Sequence, residues 1–241
     1  MFCSIVRSVF VFFPAGAGRL PAACLCLALA LCVASCGGGQ QQSRVSDDLE
    51  GAGGAPVKRG VKPEPDAEAA VIEATSSDGK IDYGKIVVEL YPNVAPQMVE
   101  RFKTLTRQGF YNGTTFHRVN PEVVQGGDPL SKGEDQSRVG MGDSPLPNVP
   151  AEFSDVPFDR GVVGAARKGN DVNSANCQFY ITLRRVPQWD AQYTAFGKVV
   201  EGMNNAQVIA GAPTRPGTEN PYDKIVIKSI TLQPRANFVK P

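Results

Sequence analysis

The chain has 241 residues, enough for one domain with extensions. Its 25 Lys+Arg against 24 Asp+Glu give a formal net charge of +1, so no electrostatic excess points to a nucleic-acid partner. The single histidine, His117, argues against a histidine-rich metal site and makes a Ser-His-Asp triad weak; a packed or hydrogen-bonded strand position is the expectation for it.

Residues 1–36 read as an export signal. Arg7 and Arg19 are their only charges, and Leu20 to Ser35 is apolar and small, short for a membrane span. The run Val33-Ala34-Ser35-Cys36 resembles the lipobox of bacterial lipoproteins, which implies a lipid on Cys36 and an exported protein anchored in the cell envelope. An ordinary cleaved signal and a retained anchor are the alternatives. A second apolar patch, Val9 to Phe13, lengthens the leader and allows a start downstream of Met1. Cys3, Cys24, Cys26, Cys32 and Cys36 all fall in this leader; Cys177 stands alone in the remainder, so no internal disulfide is expected there. Without the leader the chain carries 23 basic and 24 acidic residues. Residues 37–70 open with GGGQQQ and hold few large apolar side chains, which predicts a disordered tether spanning on the order of 30 Å.

From Val71 the pattern changes. Val71 to Ala74 and Lys85 to Leu90 alternate as strands, joined through SSDGKIDYG. Asn93 is placed to cap a helix with Pro96 in its first turn. Val94, Met98, Phe102 and Leu105 then fall at helical spacing, and Gly109 ends the helix. In TFHRVNPEVVQGGD (115–128), Phe116 and Val119 flank Arg118 in an alternating strand. Asn120-Pro121 turns the chain, and Val123-Val124 begins a second strand running into Gln125 and paired glycines. Paired glycines in a strand mark a bulge or a close backbone approach. Taken alone, Arg118 would be an ordinary surface residue. Residues 129–150 read as a long loop. Strands are expected at 161–166, 178–183 and 195–200, a short helix over Met203 to Ala210 ending at Gly211, and a last strand from about Lys224 to Leu232. Many short strands with two helices predict a mainly β fold, a closed antiparallel barrel.

FHRV and VVQGGDP (116–129), GVVGAAR (161–167), NCQFYITL (176–183) and FGKVVEGM (196–203) resemble, in order, the motifs of the cyclophilin-type peptidyl-prolyl isomerases. The resemblance runs roughly from Val71 to Gln233. It implies an eight-stranded barrel with a helix at each end, occupying 71–234 with a short tail at 235–241. It implies catalysis of X-Pro rotation on proline-containing polypeptides, with no cofactor and no metal, by a monomer. With the leader, it implies a folding assistant for exported proteins. Rotation about the peptide bond faces a barrier of ~18–20 kcal/mol because resonance is broken. Arginine suits this chemistry, since it stays charged and presents fixed donors to the prolyl nitrogen.

Carried over by position, Arg118 is the cation. Gln125 would bond the substrate backbone and steady it. Ala166 and Arg167 fall where the family places a substrate-contacting pair, Arg167 standing where many members have Asn. Gln178 is a second polar contact and Tyr180 a pocket wall where many members have Phe. Tyr193 and Trp189 complete the rim. One residue is missing between Arg118 and Gln125, and with it the Phe that floors the family's pocket. Its place falls to Glu122 counted back from Gln125, or to Val123 counted forward from Arg118. A carboxylate makes a poor floor; Val123 is tolerable but small, and either predicts slowed turnover. The alternative function is a module that binds proline segments with weak or no turnover.

Overall fold

The computed structural model describes residues 51–239; the leader, Cys36 and the first part of the expected tether lie outside them. Eight strands close into one antiparallel barrel. They are β2 (Glu68–Ser76), β3 (Asp82–Leu90), β4 (Thr115–Val119), β5 (Val123–Asp128), β7 (Val162–Ala165), β8 (Phe179–Thr182), β9 (Ala195–Glu201) and β10 (Ile225–Pro234). The hydrogen-bonded order is β10-β2-β3-β9-β7-β8-β5-β4, and Val226 opposite Thr115 closes the ring. The expected mainly β barrel with two helices is what forms. A separate parallel pair joins β1 (Val57–Lys58) to β6 (Phe153–Ser154).

Helices α1 (Pro96–Arg107) and α2 (Met203–Ala210) bury one face each in the barrel core. Met98, Phe102 and Leu105 carry the predicted stripe, all at most 1% exposed. Phe102 sits at the centre, its ring 5.5 Å from Phe179 and 5.4 Å from Phe196. Ring contacts of this kind add to burial itself, which is worth ~1.5–3 kcal/mol for each large side chain.

Asn93 does not cap α1. Its amide reaches back to the N-terminal segment, donating to Lys62 O at 2.8 Å and accepting from Glu64 N at 3.0 Å. The free N–H groups of α1 meet the Glu152 carboxylate instead, Gln97 N at 3.1 Å and Met98 N at 2.9 Å. The helix dipole and two charge-assisted bonds offset the burial of that carboxylate.

The expected tether is corrected for its second half. Residues 51–67 are docked on the barrel rather than loose, and 68–70 belong to strand β2 itself. Gly51 lies against Phe153 and the Ala191 carbonyl, leaving no room for a Cβ. Lys58 Nζ donates to Val94 O at 2.8 Å. Asp66 pairs at 2.7 Å with Lys103, both side chains largely buried. The tail is also attached: Arg235 pairs with Glu89, and Phe238 packs on Ala69, Val71 and Val87. Low hydrophobicity hid these contacts, because they are made mostly by backbone and charge. Among the described residues, no helix is long and apolar enough to cross a membrane.

Candidate active site

Strands β4 and β5 form a hairpin in which Arg118 lies opposite Gln125. Its turn is tied by Asn120, whose Oδ1 accepts from Glu122 N at 2.8 Å and Val123 N at 2.9 Å. The register shifts twice between Thr115 and Arg118, so the expected irregularity is present. The paired glycines serve close approach: a Cβ on Gly127 would stand 2.9 Å from Cys177 O, and its φ is +89°.

This geometry aligns a chain of polar contacts. Arg118 Nη1 donates to Gln125 Oε1 at 3.3 Å. Gln125 Nε2 donates to Gln178 Oε1 at 3.0 Å. Gln178 Nε2 donates to Gly140 O at 3.1 Å and Gly142 O at 2.9 Å. On its other edge Arg118 Nε donates to Glu219 Oε2 at 2.5 Å. The Arg118 side chain remains 40% exposed. Gln178 is 7% exposed and both its amide hydrogens are engaged, so it braces Gln125 and the loop rather than offering a donor outward.

Beside this polar line lies an apolar cluster. Tyr180 and Phe158 are buried, and Trp189 and Tyr193 are half-buried over them. Tyr180 stands 5.0 Å from Trp189 and 6.0 Å from Tyr193, both edge-on. Trp189 ends a 3-10 turn, Pro187–Trp189. Tyr180 lies directly over Gly164: a Cβ there would meet its ring and hydroxyl at 2.4 Å. The Tyr180 hydroxyl is buried without a hydrogen-bond partner.

The ambiguity over the missing Phe resolves toward Val123. Val123 joins the aromatic cluster, whereas Glu122 turns away to pair with Arg184. A hydrophobic side chain is drawn inward and a carboxylate outward, and the tied turn enforces the choice. Val123 is 0% exposed, so it backs the cluster and presents no surface to a substrate in this conformation. Phe158, which no sequence motif marks, supplies aromatic bulk behind it, 6.1 Å from Tyr180.

Ala166 packs at the edge of the cluster. The Arg167 guanidinium stacks 4.6 Å from the Tyr193 ring centroid and donates from its terminal nitrogens to the carbonyls of Lys168, Gly169 and Gln192, while its Nε is buried without a partner. It fastens the Tyr193 wall to the 167–169 turn while lining, with Ala166, the cavity beside Gln125. His117 is buried, and neither ring nitrogen has a partner, so it is packed and not hydrogen-bonded. Burial is the main cause of its lowered pKa, opposed by the negative Asp128. Cys177 is buried and its thiol is pushed up to about 12, which makes it chemically quiet.

The long loop at 129–150 is pinned from both ends. Asp128 accepts from Leu130 N at 2.7 Å and also from Gly140 N, while Asn176 Oδ1 accepts from Ser144 N at 2.8 Å. Gly140, Met141 and Asp143 thereby line a cavity with Gln125, Ala166 and Gln178. No group of three or more His, Cys, Asp or Glu suited to a metal occurs among the described residues.

The family model for cyclophilin type peptidyl-prolyl cis-trans isomerase/CLD matches residues 74–232. The chain belongs to this family. A probable peptidyl-prolyl cis-trans isomerase of Brucella suis biovar 1 is 45% identical over 157 residues, covering 63% of this chain and 80% of that protein. Peptidyl-prolyl cis-trans isomerase-like 3 of Gallus gallus is 34% identical over 154 residues, covering 63% of this chain and 91% of that protein. Among solved structures, a Cryptosporidium parvum cyclophilin type isomerase, crystallised in the presence of the dipeptide Ala-Pro, superposes with a TM-score of 0.60. It is 26% identical, with 68% of this chain and 98% of that chain covered. The enzyme is thus a cyclophilin-type peptidyl-prolyl cis-trans isomerase, and the eight-stranded barrel is the family's.

Proposed function

We propose that this isomerase works through Arg118, with proline-containing segments of exported polypeptides as substrates, while held in the cell envelope by a lipid on Cys36. One observation carries the mechanistic part: a guanidinium with a partly exposed side chain is clamped by hydrogen bonds, and its partner Gln125 lies opposite Tyr180 of the aromatic cluster. The proline ring rests on the shelf formed by Trp189, Tyr193 and the edge of Ala166. Arg118 donates to the prolyl nitrogen as conjugation is lost and its lone pair becomes an acceptor. No proton leaves a side chain and no covalent intermediate forms. Only the twisted amide has that acceptor, so the contact lowers the barrier rather than merely binding substrate. The neighbour crystallised in the presence of Ala-Pro supports a proline-bearing ligand.

The test is an isomerisation assay on an X-Pro peptide with the purified protein. Arg118→Ala is expected to lower kcat/KM by ~10²–10³, as for loss of one preorganised donor, with the thermal unfolding midpoint nearly unchanged. Activity near wild type would remove Arg118 from the mechanism. The binding-module reading rests on the fully buried Val123, which leaves the shelf without a large side chain at that point. Peptide binding retained without turnover would favour that reading over catalysis.

The envelope location is supported by the Val33-Ala34-Ser35-Cys36 run behind an apolar leader.

A further inference from the structure

We infer that Glu219 is a positioning residue for the reaction: its carboxylate holds the guanidinium of Arg118 by the Nε edge, so that the remaining donors face the substrate. The inference rests on the reading of Arg118 as the catalytic cation.

Arginine has five N–H donors in a planar fork. Glu219 takes Nε–H at 2.5 Å and Gln125 takes one Nη1 hydrogen at 3.3 Å. The donors left over are all on the terminal nitrogens. A guanidinium on a flexible stem otherwise rotates freely, and two acceptors on different nitrogens define its plane. Gln125 alone fixes a single point at a long distance. The carboxylate supplies the short, charge-assisted second point.

The arrangement around Glu219 separates this role from a stabilising one. Both side chains of the pair are substantially exposed, 40% and 46%. Exposed ion pairs contribute little to stability. Nor does the loop at 213–222 need the carboxylate to stay in place. Val119 N donates to Glu219 O at 2.8 Å, Arg215 N to Asn220 O at 2.9 Å and Tyr222 N to Pro213 O at 2.7 Å, all through backbone. What the carboxylate does beyond this is held on both oxygens: Oε1 accepts from Asn120 Nδ2 at 2.7 Å while Oε2 takes Arg118. Asn120 is the residue that ties the β4–β5 turn. The carboxylate is therefore oriented by the same hairpin that carries Arg118, and the clamp moves with the cation it holds. Burial pushes the Glu219 pKa up, but its bonds to Arg118 and Asn120 outweigh that and leave it below the ordinary value. The group is ionised throughout the working range.

Kinetics of the full-length protein test the assignment. Glu219→Ala should lower kcat/KM by about tenfold, short of the hundredfold that a displaced catalytic group can cost. The loss should fall on kcat with KM nearly constant, since the contact matters when the amide is twisted. Glu219→Gln keeps an oxygen acceptor for Nε–H and should retain most of the rate. In an Arg118→Ala background, Glu219→Ala should cause no further loss. The inference fails if Glu219→Ala is as fast as wild type or faster, if only KM changes, or if the loss persists without Arg118. Full activity in Arg118→Ala alone would instead overturn the role given to Arg118, and the inference with it.

Discussion

At the scale of single residues, Tyr180 exposes a conflict between shape and polarity. Its ring fills the space above Gly164, but its hydroxyl is buried with no partner. An unsatisfied buried hydroxyl costs about 1–3 kcal/mol. Tyr180→Phe keeps the ring and removes the orphan group. It should raise unfolding free energy by roughly 1 kcal/mol, read from chemical denaturation, and leave the isomerisation rate within about twofold. A destabilised variant would mean that the hydroxyl is satisfied in solution. The sequence shows an aromatic at this position, but not whether its oxygen finds a partner, because that depends on side chains from several strands meeting in space.

At the scale of elements, the β4–β5 hairpin was legible in outline. Alternation around Arg118, the Asn-Pro turn and the paired glycines all specify it locally. Arg118 facing Gln125 follows from that register. Glu219 was not legible: it lies 101 residues from Arg118, in a loop with no periodicity, and only closure of the barrel brings the two together. Strand β1 escaped notice for a different reason, since two residues cannot show a period. The hairpin also bears on the absent Phe. Inserting Phe between Glu122 and Val123 would restore the family's spacing, but Asn120 bonds both of their N–H groups and Asn120 N bonds Val123 O at 3.0 Å. The insertion breaks these bonds and crowds a closed cluster, so it should destabilise the protein by ~1–3 kcal/mol without raising kcat/KM. A faster enzyme of unchanged stability would show that the turn is more tolerant than its bonding implies.

At the scale of the whole molecule, stability and activity should respond differently to pH. The single histidine is buried and its pKa is held below the ordinary 6.5. The unfolded chain therefore binds a proton that the native state refuses, and stability falls as pH drops from about 7 toward the lowered native value. Carboxylates act mainly below about pH 4.5, so the slope between about pH 7 and 5 belongs to His117. Urea unfolding at a series of pH values checks this, and a flat stability across that interval would contradict it. Catalysis by a permanently charged arginine should stay level from about pH 6 to 9. The barrel itself was readable from strand count and helix stripes. Its two terminal attachments were not, because backbone and salt-bridge contacts leave no hydrophobic pattern. For the chain as it sits in the cell, Cys36→Ala should move the protein from the membrane fraction to the soluble fraction or leave it unprocessed. A mature N-terminus elsewhere without lipid, by mass spectrometry, would end the anchoring proposal.

The contact between Gly164 and Tyr180 also constrains how this sequence can drift. A methyl group at 164 would overlap the Tyr180 ring at 2.4 Å, and both positions face one another across the β7–β8 pair. Position 164 cannot vary on its own: a side chain there is admissible only after 180 has become smaller, and such a variant would first lose the ring that underlies the aromatic shelf. Position 164 should therefore remain glycine among descendants of this chain for as long as 180 stays aromatic, which makes the glycine as much a marker of the pocket as the arginine.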